Sequence, residues 1–258
     1  MPARENNYEP TLRHQHRRRW RDQGWRLAAL SLAPIILVQG LNVRRVTPRL
    51  PEANGQRWGT AGQGPRLRLL IAGDSAAAGV GATSQDEALA GAVVRDLGKS
   101  FSVHWVLDAR NGRKTVDVLA RMESMEAGPF DVALLSLGVN DVTGGTRSAV
   151  WVAQQRSLVK LLKRRFGVQH VLLTCLPPMH AFPALPQPLR WILGARARQF
   201  TALLRDLAAT DPDCEVVTPD LPLDPAYMAA DGFHPGPPAY AEWGREAAAT
   251  IRRRYVAP

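Results

Sequence analysis

The chain has 258 residues, 45% of them hydrophobic and 22% charged, with 21 glycines and 20 prolines. That composition excludes wholesale disorder, a collagen-like repeat and a disulfide scaffold, and its two cysteines, Cys175 and Cys214, allow at most one internal bridge and leave the redox compartment open. The formal net charge of +10 is unevenly placed: residues 1–50 hold ten arginines against three acids, the rest of the chain 23 basic against 20 acidic side chains, so the body is nearly neutral and no nucleic-acid partner is expected.

In chain order, residues 13–26 are strongly basic (RHQHRRRWRDQGWR) and precede twelve apolar or small residues, Leu27 to Val38. A membrane-spanning helix wants about 20 apolar residues, and this stretch is shorter and contains Pro34. Two readings stay open for residues 13–43. The segment inserts as an anchor, with six arginines before it keeping the N-terminus cytoplasmic and the body outside, or it forms a basic tail that packs on the body or lies on an anionic membrane face. Residues 47–65, TPRLPEANGQRWGTAGQGP, read as a Gly/Pro linker, which gives a tail over 1–65 and a body over 66–258.

From Leu67 short apolar runs alternate with helical patterns. Strands are predicted at 67–73, 103–109, 131–138, 168–175 and 214–218. The helices between and after them run from Ser84 to Leu97, Thr115 to Met125, Ser148 to Phe166, Leu189 to Ala209 and Pro238 to Tyr255. Ser84 with Glu87 reads as a capping box. Near-continuous apolar strands alternating with helices imply an α/β fold: a three-layer α/β/α sandwich around a five-stranded parallel sheet, with its chemistry at the carboxyl ends of the strands.

Those ends carry Gly73-Asp74-Ser75 after the first strand, Asn111-Gly112-Arg113 after the second and Gly138-Val139-Asn140-Asp141 after the third, with Asp231-Gly232-Phe233-His234-Pro235 before the last helix. A serine hydroxyl becomes a useful nucleophile when an imidazole takes its proton and a carboxylate fixes that imidazole's tautomer. Asp231 and His234, three apart in a turn, suit such a pair. The four pieces, in this order, resemble the SGNH (GDSL-type) serine hydrolases over residues 66–254. The resemblance implies a flavodoxin-like fold and carboxylic ester (or thioester) hydrolysis through an acyl-enzyme, with Ser75, Asp231 and His234 catalytic. It also implies an oxyanion hole formed by the Ser75 and Gly112 backbone N–H groups and the Asn140 side chain, with no metal or organic cofactor and a small-molecule ester as substrate. Asp74 and Asp141 are expected to make supporting hydrogen bonds. The chain departs from the pattern in reading GDSA where the family reads GDSL, and the NGRKT block around Gly112 matches loosely. Acyl transfer to a sugar or other alcohol, carbohydrate O-deacetylation and a non-catalytic membrane-tethered binding module are the alternatives.

Gly79-Val80-Gly81 lacks the last glycine of a dinucleotide fingerprint, since Ser84 stands there. His170, Cys175 and His180 fall on a strand and a loop and read as core and rim, with no metal assigned. Residues 176–194 (LPPMHAFPALPQPLRWILG) follow the fourth strand, where Met179, Phe182, Leu185 and Trp191 are expected to wall an acyl pocket.

Overall fold

The strands that the sequence marks as apolar do form one sheet, and a computed structural model describes it within residues 31–222 and 224–255. The strands are β1 (Trp58–Ala61), β2 (Arg66–Gly73), β3 (Ser102–Ala109), β4 (Val132–Ser136), β5 (His170–Thr174) and β6 (Cys214–Val217), in the spatial order β1-β3-β2-β4-β5-β6. All neighbours are parallel except β1, which runs antiparallel to β3. The helices are α1 (Ala33–Val46), α2 (Leu89–Leu97), α3 (Thr115–Ser124), α4 (Val139–Thr143), α5 (Ser148–Phe166), α6 (Leu189–Ala209) and α7 (Pro237–Tyr255).

Alternation along each strand sends successive side chains to opposite faces, and both faces are covered. Leu69 and Ile71 of β2, with Val132 and Leu134 of β4, pack under α2 and α7 through Val93, Leu97, Tyr240 and Ile251. Leu70 and Ala72, with Ala133 and Leu135, pack under α3, α5 and α6 through Met122, Trp151, Leu162 and Phe200. The result is the expected three-layer sandwich. Trp151 and Phe200 stack with ring centroids 4.2 Å apart, so α5 and α6 share one aromatic contact. Helices α2 and α7 approach more closely still, because a Cβ on Gly244 would lie 2.4 Å from that of Ala92.

Two expectations need correction. The sheet has six strands rather than five, since Trp58–Ala61, inside the stretch read as linker, pairs with β3 as an edge strand. Its Trp58 is 69% exposed and its inward residues are only half-buried, an alternation too short and shallow to mark it. The second helix begins at Leu89 rather than Ser84, and no capping box forms there. The Glu87 carboxylate instead accepts the Thr83 hydroxyl at 2.7 Å, while Ser84 bridges Asn54. The basic stretch 13–26 lies outside the described residues, whereas the apolar stretch enters α1, with Pro34 in the first turn where its missing N–H costs nothing. That helix packs on the body: Gln39 donates to the Gln187 carbonyl at 2.6 Å and accepts from the Leu189 N–H at 3.1 Å. No helix among the described residues is long and apolar enough to cross a membrane.

The register sets the stage for chemistry. Gly73 of β2 pairs with Ala109 of β3 on one side and Ser136 of β4 on the other. The ends of the three central strands are therefore level, and the segments bearing Ser75, Gly112 and Asn140 leave the sheet side by side at its carboxyl edge. Replacing Gly244 by alanine forces α2 and α7 apart and is expected to destabilise the fold by about 1–3 kcal/mol, read from chemical unfolding, with the sheet-end geometry retained.

Candidate active site

Ser75 stands in a tight turn directly after β2. The turn is anchored by the Asp74 N–H on the Ser136 carbonyl (3.1 Å) and closed by Ala78 N–H on Asp74 O and Val80 N–H on Ser75 O, both at 3.0 Å. Helix α7 holds it from above, where the buried Tyr240 hydroxyl donates to the Val80 carbonyl at 2.6 Å. Gly81 follows at φ +102°, and a Cβ there would sit 2.2 Å from the Pro235 carbonyl oxygen. The absence of a side chain at 81 lets the serine turn and the histidine loop touch.

That contact brings together residues 159 apart in sequence. His234 Nε2 lies 2.9 Å from Ser75 Oγ, and His234 Nδ1 lies 2.5 Å from Asp231 Oδ2. Asp231 divides its two oxygens. Oδ2 takes the imidazole, while Oδ1 accepts the backbone N–H groups of Phe233 (2.9 Å) and His234 (3.0 Å), which curls the four-residue loop so that the ring faces the serine. Burial disfavours the Asp231 charge, but these hydrogen bonds outweigh it and hold the carboxyl below the ordinary aspartate value. Asp74 is tuned the other way: burial pushes its carboxyl up to about 7, against backbone N–H groups that include Ala76 N–H at 3.1 Å.

On the β3 and β4 side, Gly112 lies in the turn after β3 at φ +83°, with nothing within 4 Å of where a Cβ would be. Among the described residues neither the Ser75 N–H nor the Gly112 N–H donates to a protein acceptor. Asn140, on the first turn of α4, donates one side-chain N–H to the Arg113 carbonyl at 3.0 Å, which ties it to the Gly112 turn and leaves its second N–H available. Asp141 makes the supporting contacts expected of it. Its carboxylate accepts from the Thr115 N–H (3.0 Å) and hydroxyl (2.8 Å), and that hydroxyl in turn accepts from Trp151 Nε1 and Gln155 Nε2. This buried network fastens the start of α3, hence the Gly112 turn, to α4.

A cavity of about 610 Å³ opens beside Ser75 and His234, walled mainly by apolar side chains, among them Leu137, Leu176, Phe182, Met228 and Phe233. Of the four residues expected to line an acyl pocket, Phe182 does so. It packs edge-on against Phe233 at 5.1 Å, and Phe233 packs edge-on against the His234 ring at 5.3 Å. The other three do not. Met179 is fully buried in the core, Leu185 is buried beside it, and Trp191 is 42% exposed on the outer side of α6. The short 3₁₀ turn Met179–Ala181 rotates the segment so that Met179 points under it. His170 likewise belongs to the core, with Nε2 3.0 Å from Glu215.

Sequence and structure comparisons agree with this geometry. A family model described as the GDSL-like Lipase/Acylhydrolase family matches residues 71–242, a span that includes Ser75, Gly112, Asn140, Asp231 and His234. The chain is 28% identical over 236 aligned positions to "GDSL-like esterase Rv1075c" of Mycobacterium tuberculosis, covering 83% of this chain and 74% of that protein. Similar folds include a member of the lipolytic protein G-D-S-L family from Veillonella parvula (TM-score 0.57, 16% identity, 72% of this chain and 99% of that one). Esterase EstA from Pseudoalteromonas sp. is another (TM-score 0.56, 18% identity, 74% and 99%). With the family model spanning two thirds of its length, the chain belongs to the GDSL-like lipase/acylhydrolase family of carboxylic ester hydrolases.

Proposed function

We propose that the chain hydrolyses carboxylic esters through an acyl-enzyme formed on Ser75. The observation that carries this reading is the continuous relay from Ser75 Oγ through His234 to Asp231 at 2.9 and 2.5 Å. As Oγ attacks the ester carbonyl carbon, its proton passes to His234 Nε2, and the Asp231 carboxylate holds Nδ1–H and stabilises the imidazolium. The carbonyl oxygen, now carrying the negative charge, is met by the unpartnered N–H groups of Ser75 and Gly112 and the second N–H of Asn140. Collapse expels the alcohol with the proton from Nε2, and water then repeats the sequence on the acyl-enzyme. Loss of one oxyanion donor costs about 3 kcal/mol of transition-state stabilisation, roughly a hundredfold in rate. The acyl chain lies in the cavity, whose apolar wall suits an aliphatic group and whose proline-rich rim resists collapse.

Ser75→Ala is expected to abolish both ester hydrolysis and labelling by a fluorophosphonate probe with the fold intact; labelling that persists in this variant overturns the assignment. Phe182→Ala deepens the cavity and should shift the p-nitrophenyl ester profile toward longer acyl chains, whereas Trp191→Ala should leave the profile as it is. An equal change across all chain lengths removes Phe182 from acyl recognition.

Asp74 gives a pH signature. A carboxyl whose folded value is raised binds its proton more tightly folded than unfolded, so its contribution is present below about 4 and lost as pH rises through about 7. Asp74→Asn keeps the acceptor for Ala76 N–H and removes the charge. The stability difference between the variant and the parent, measured by denaturant unfolding at pH 5 and pH 8, should therefore move in the variant's favour by an amount on the order of a few kcal/mol as pH rises.

We also propose that the N-terminal end lies against an anionic lipid surface. The support is the arginine-rich stretch 13–26 and the outward face of α1, where Ile35, Leu37, Val38 and Leu41 are exposed ahead of Arg44 and Arg45. Leu37→Glu together with Leu41→Glu should release the full chain from phosphatidylglycerol vesicles that otherwise sediment it, with esterase turnover in solution preserved.

A further inference from the structure

The stretch between α1 and β1, which in sequence looks like a featureless connection, touches both halves of the oxyanion site. Its Glu52 accepts the Asn111 N–H through Oε1 at 2.6 Å, one residue before Gly112. The other oxygen, Oε2, accepts from Arg57 at 2.6 Å, and a second Arg57 N–H reaches the Ala109 carbonyl at the end of β3, also at 2.6 Å. The Arg57 carbonyl accepts the Leu107 N–H at 2.7 Å, which fixes the strap to the strand. Residues 53 and 54 hold the other half: Ala53 N–H donates to Ala78 O and Asn54 N–H to Thr83 O, both at 3.2 Å. The buried Gln85 side chain then bridges the Ala53 and Ala78 carbonyls at 3.1 and 3.0 Å. The strap from Glu52 to Arg57 thus ties the Gly112 turn, held by its two ends, to the segment after Ser75, held by Ala53 and Asn54.

We infer that Glu52 is a positioning residue for oxyanion stabilisation: by holding the Asn111 N–H it aims the neighbouring Gly112 N–H at the point where Ser75 creates the oxyanion. The inference rests on the proposed roles of Ser75 and Gly112. The Gly112 turn needs an external hold because Gly112 itself is left-handed with open space beside it, and the turn's other restraints act on Arg110 and Arg113. Arg57 completes the arrangement. A bare carboxylate this close to a developing negative charge opposes it, and the guanidinium on Oε2 neutralises that charge while the acceptor on Oε1 stays in use. A misplacement near 1 Å in such a site costs about a hundredfold in rate, so a donor that is loosened by less should cost less.

The test is steady-state kinetics on a p-nitrophenyl ester with the full chain. Glu52→Ala is expected to lower kcat about tenfold while KM stays within about twofold, since the ground-state ester does not use the oxyanion donors at full strength. Glu52→Gln retains an oxygen for the Asn111 N–H and should recover kcat to within about threefold of the parent, a rescue that loss of general stability does not predict. The thermal midpoint and binding of the carboxylic acid product are measured alongside and should stay near the parent's values. If Ser75→Ala is inactive but Glu52→Ala keeps full kcat, or if the glutamine variant is as slow as the alanine variant, the positioning role is overturned and the esterase reading stands. If Ser75→Ala retains activity, the esterase mechanism and this role fall together.

Discussion

The site depends on one backbone contact, the approach of the turn after β2 to the loop before α7. Gly81 against the Pro235 carbonyl, and Tyr240 on the Val80 carbonyl, hold segments that lie at opposite ends of the folded body's sequence. Each segment is stiff in its own right, the serine turn through its hydrogen bonds and the histidine loop through the divided Asp231 carboxylate. With both stiff, closing the contact between them is enough to set Ser75 Oγ at 2.9 Å from the imidazole. No loop motion is required before chemistry, which is the electrostatic preorganisation that acyl transfer uses.

The same region separates two aspartates that are near neighbours in space. Asp231 keeps its charge because three N–H groups point at it, two of them from the peptide backbone. Asp74 is buried deeply enough that its backbone donors do not offset the cost of charging it, and its carboxyl is pushed up to about 7. Asp231 therefore faces the imidazole as a carboxylate, while burial favours the neutral form of Asp74 up to about pH 7.

Much of this was legible in the sequence because the relevant residues sit where local physics and chemistry agree. Buried parallel strands must be apolar on both faces, and so β2, β4 and β5 stood out as unbroken runs. Ser75, Asn140 and the Asp231–His234 pair follow strand ends or precede a helix, where turns place polar groups at a sheet edge. Three things were hidden for identifiable reasons. The edge strand Trp58–Ala61 is short, half glycine-and-alanine and nowhere fully buried, so its alternation is too shallow to read. Glu52 and Arg57 act through backbone atoms of distant residues, and a side chain that binds a peptide N–H leaves no sequence spacing to read. Met179 failed as a pocket residue because it sits in a 3₁₀ turn that buries it in the core, and Trp191 because it lies on an exposed position of α6; hydrophobicity alone does not tell inside from outside there. The glycines at 79 and 81 have a different lesson. Too poor a match for a dinucleotide loop, they are needed for close packing, with Gly81 making the contact on which the active site turns.

Substrate selection and catalysis are not independent here. Phe182 forms part of the cavity wall and also rests edge-on against Phe233, which rests in turn on the His234 ring, and the Ala184 N–H donates to the Gly232 carbonyl within the histidine loop. The proline-rich segment that walls the cavity thus also supports the His234 ring. An acyl chain that displaces Phe182 shifts Phe233, and through it the imidazole, so a poorly fitting chain is penalised in turnover as well as in binding. Discrimination between chain lengths can then exceed what one or two methylenes in a hydrophobic pocket supply by themselves, about 1–3 kcal/mol, because misfit is transmitted to the proton-transfer geometry.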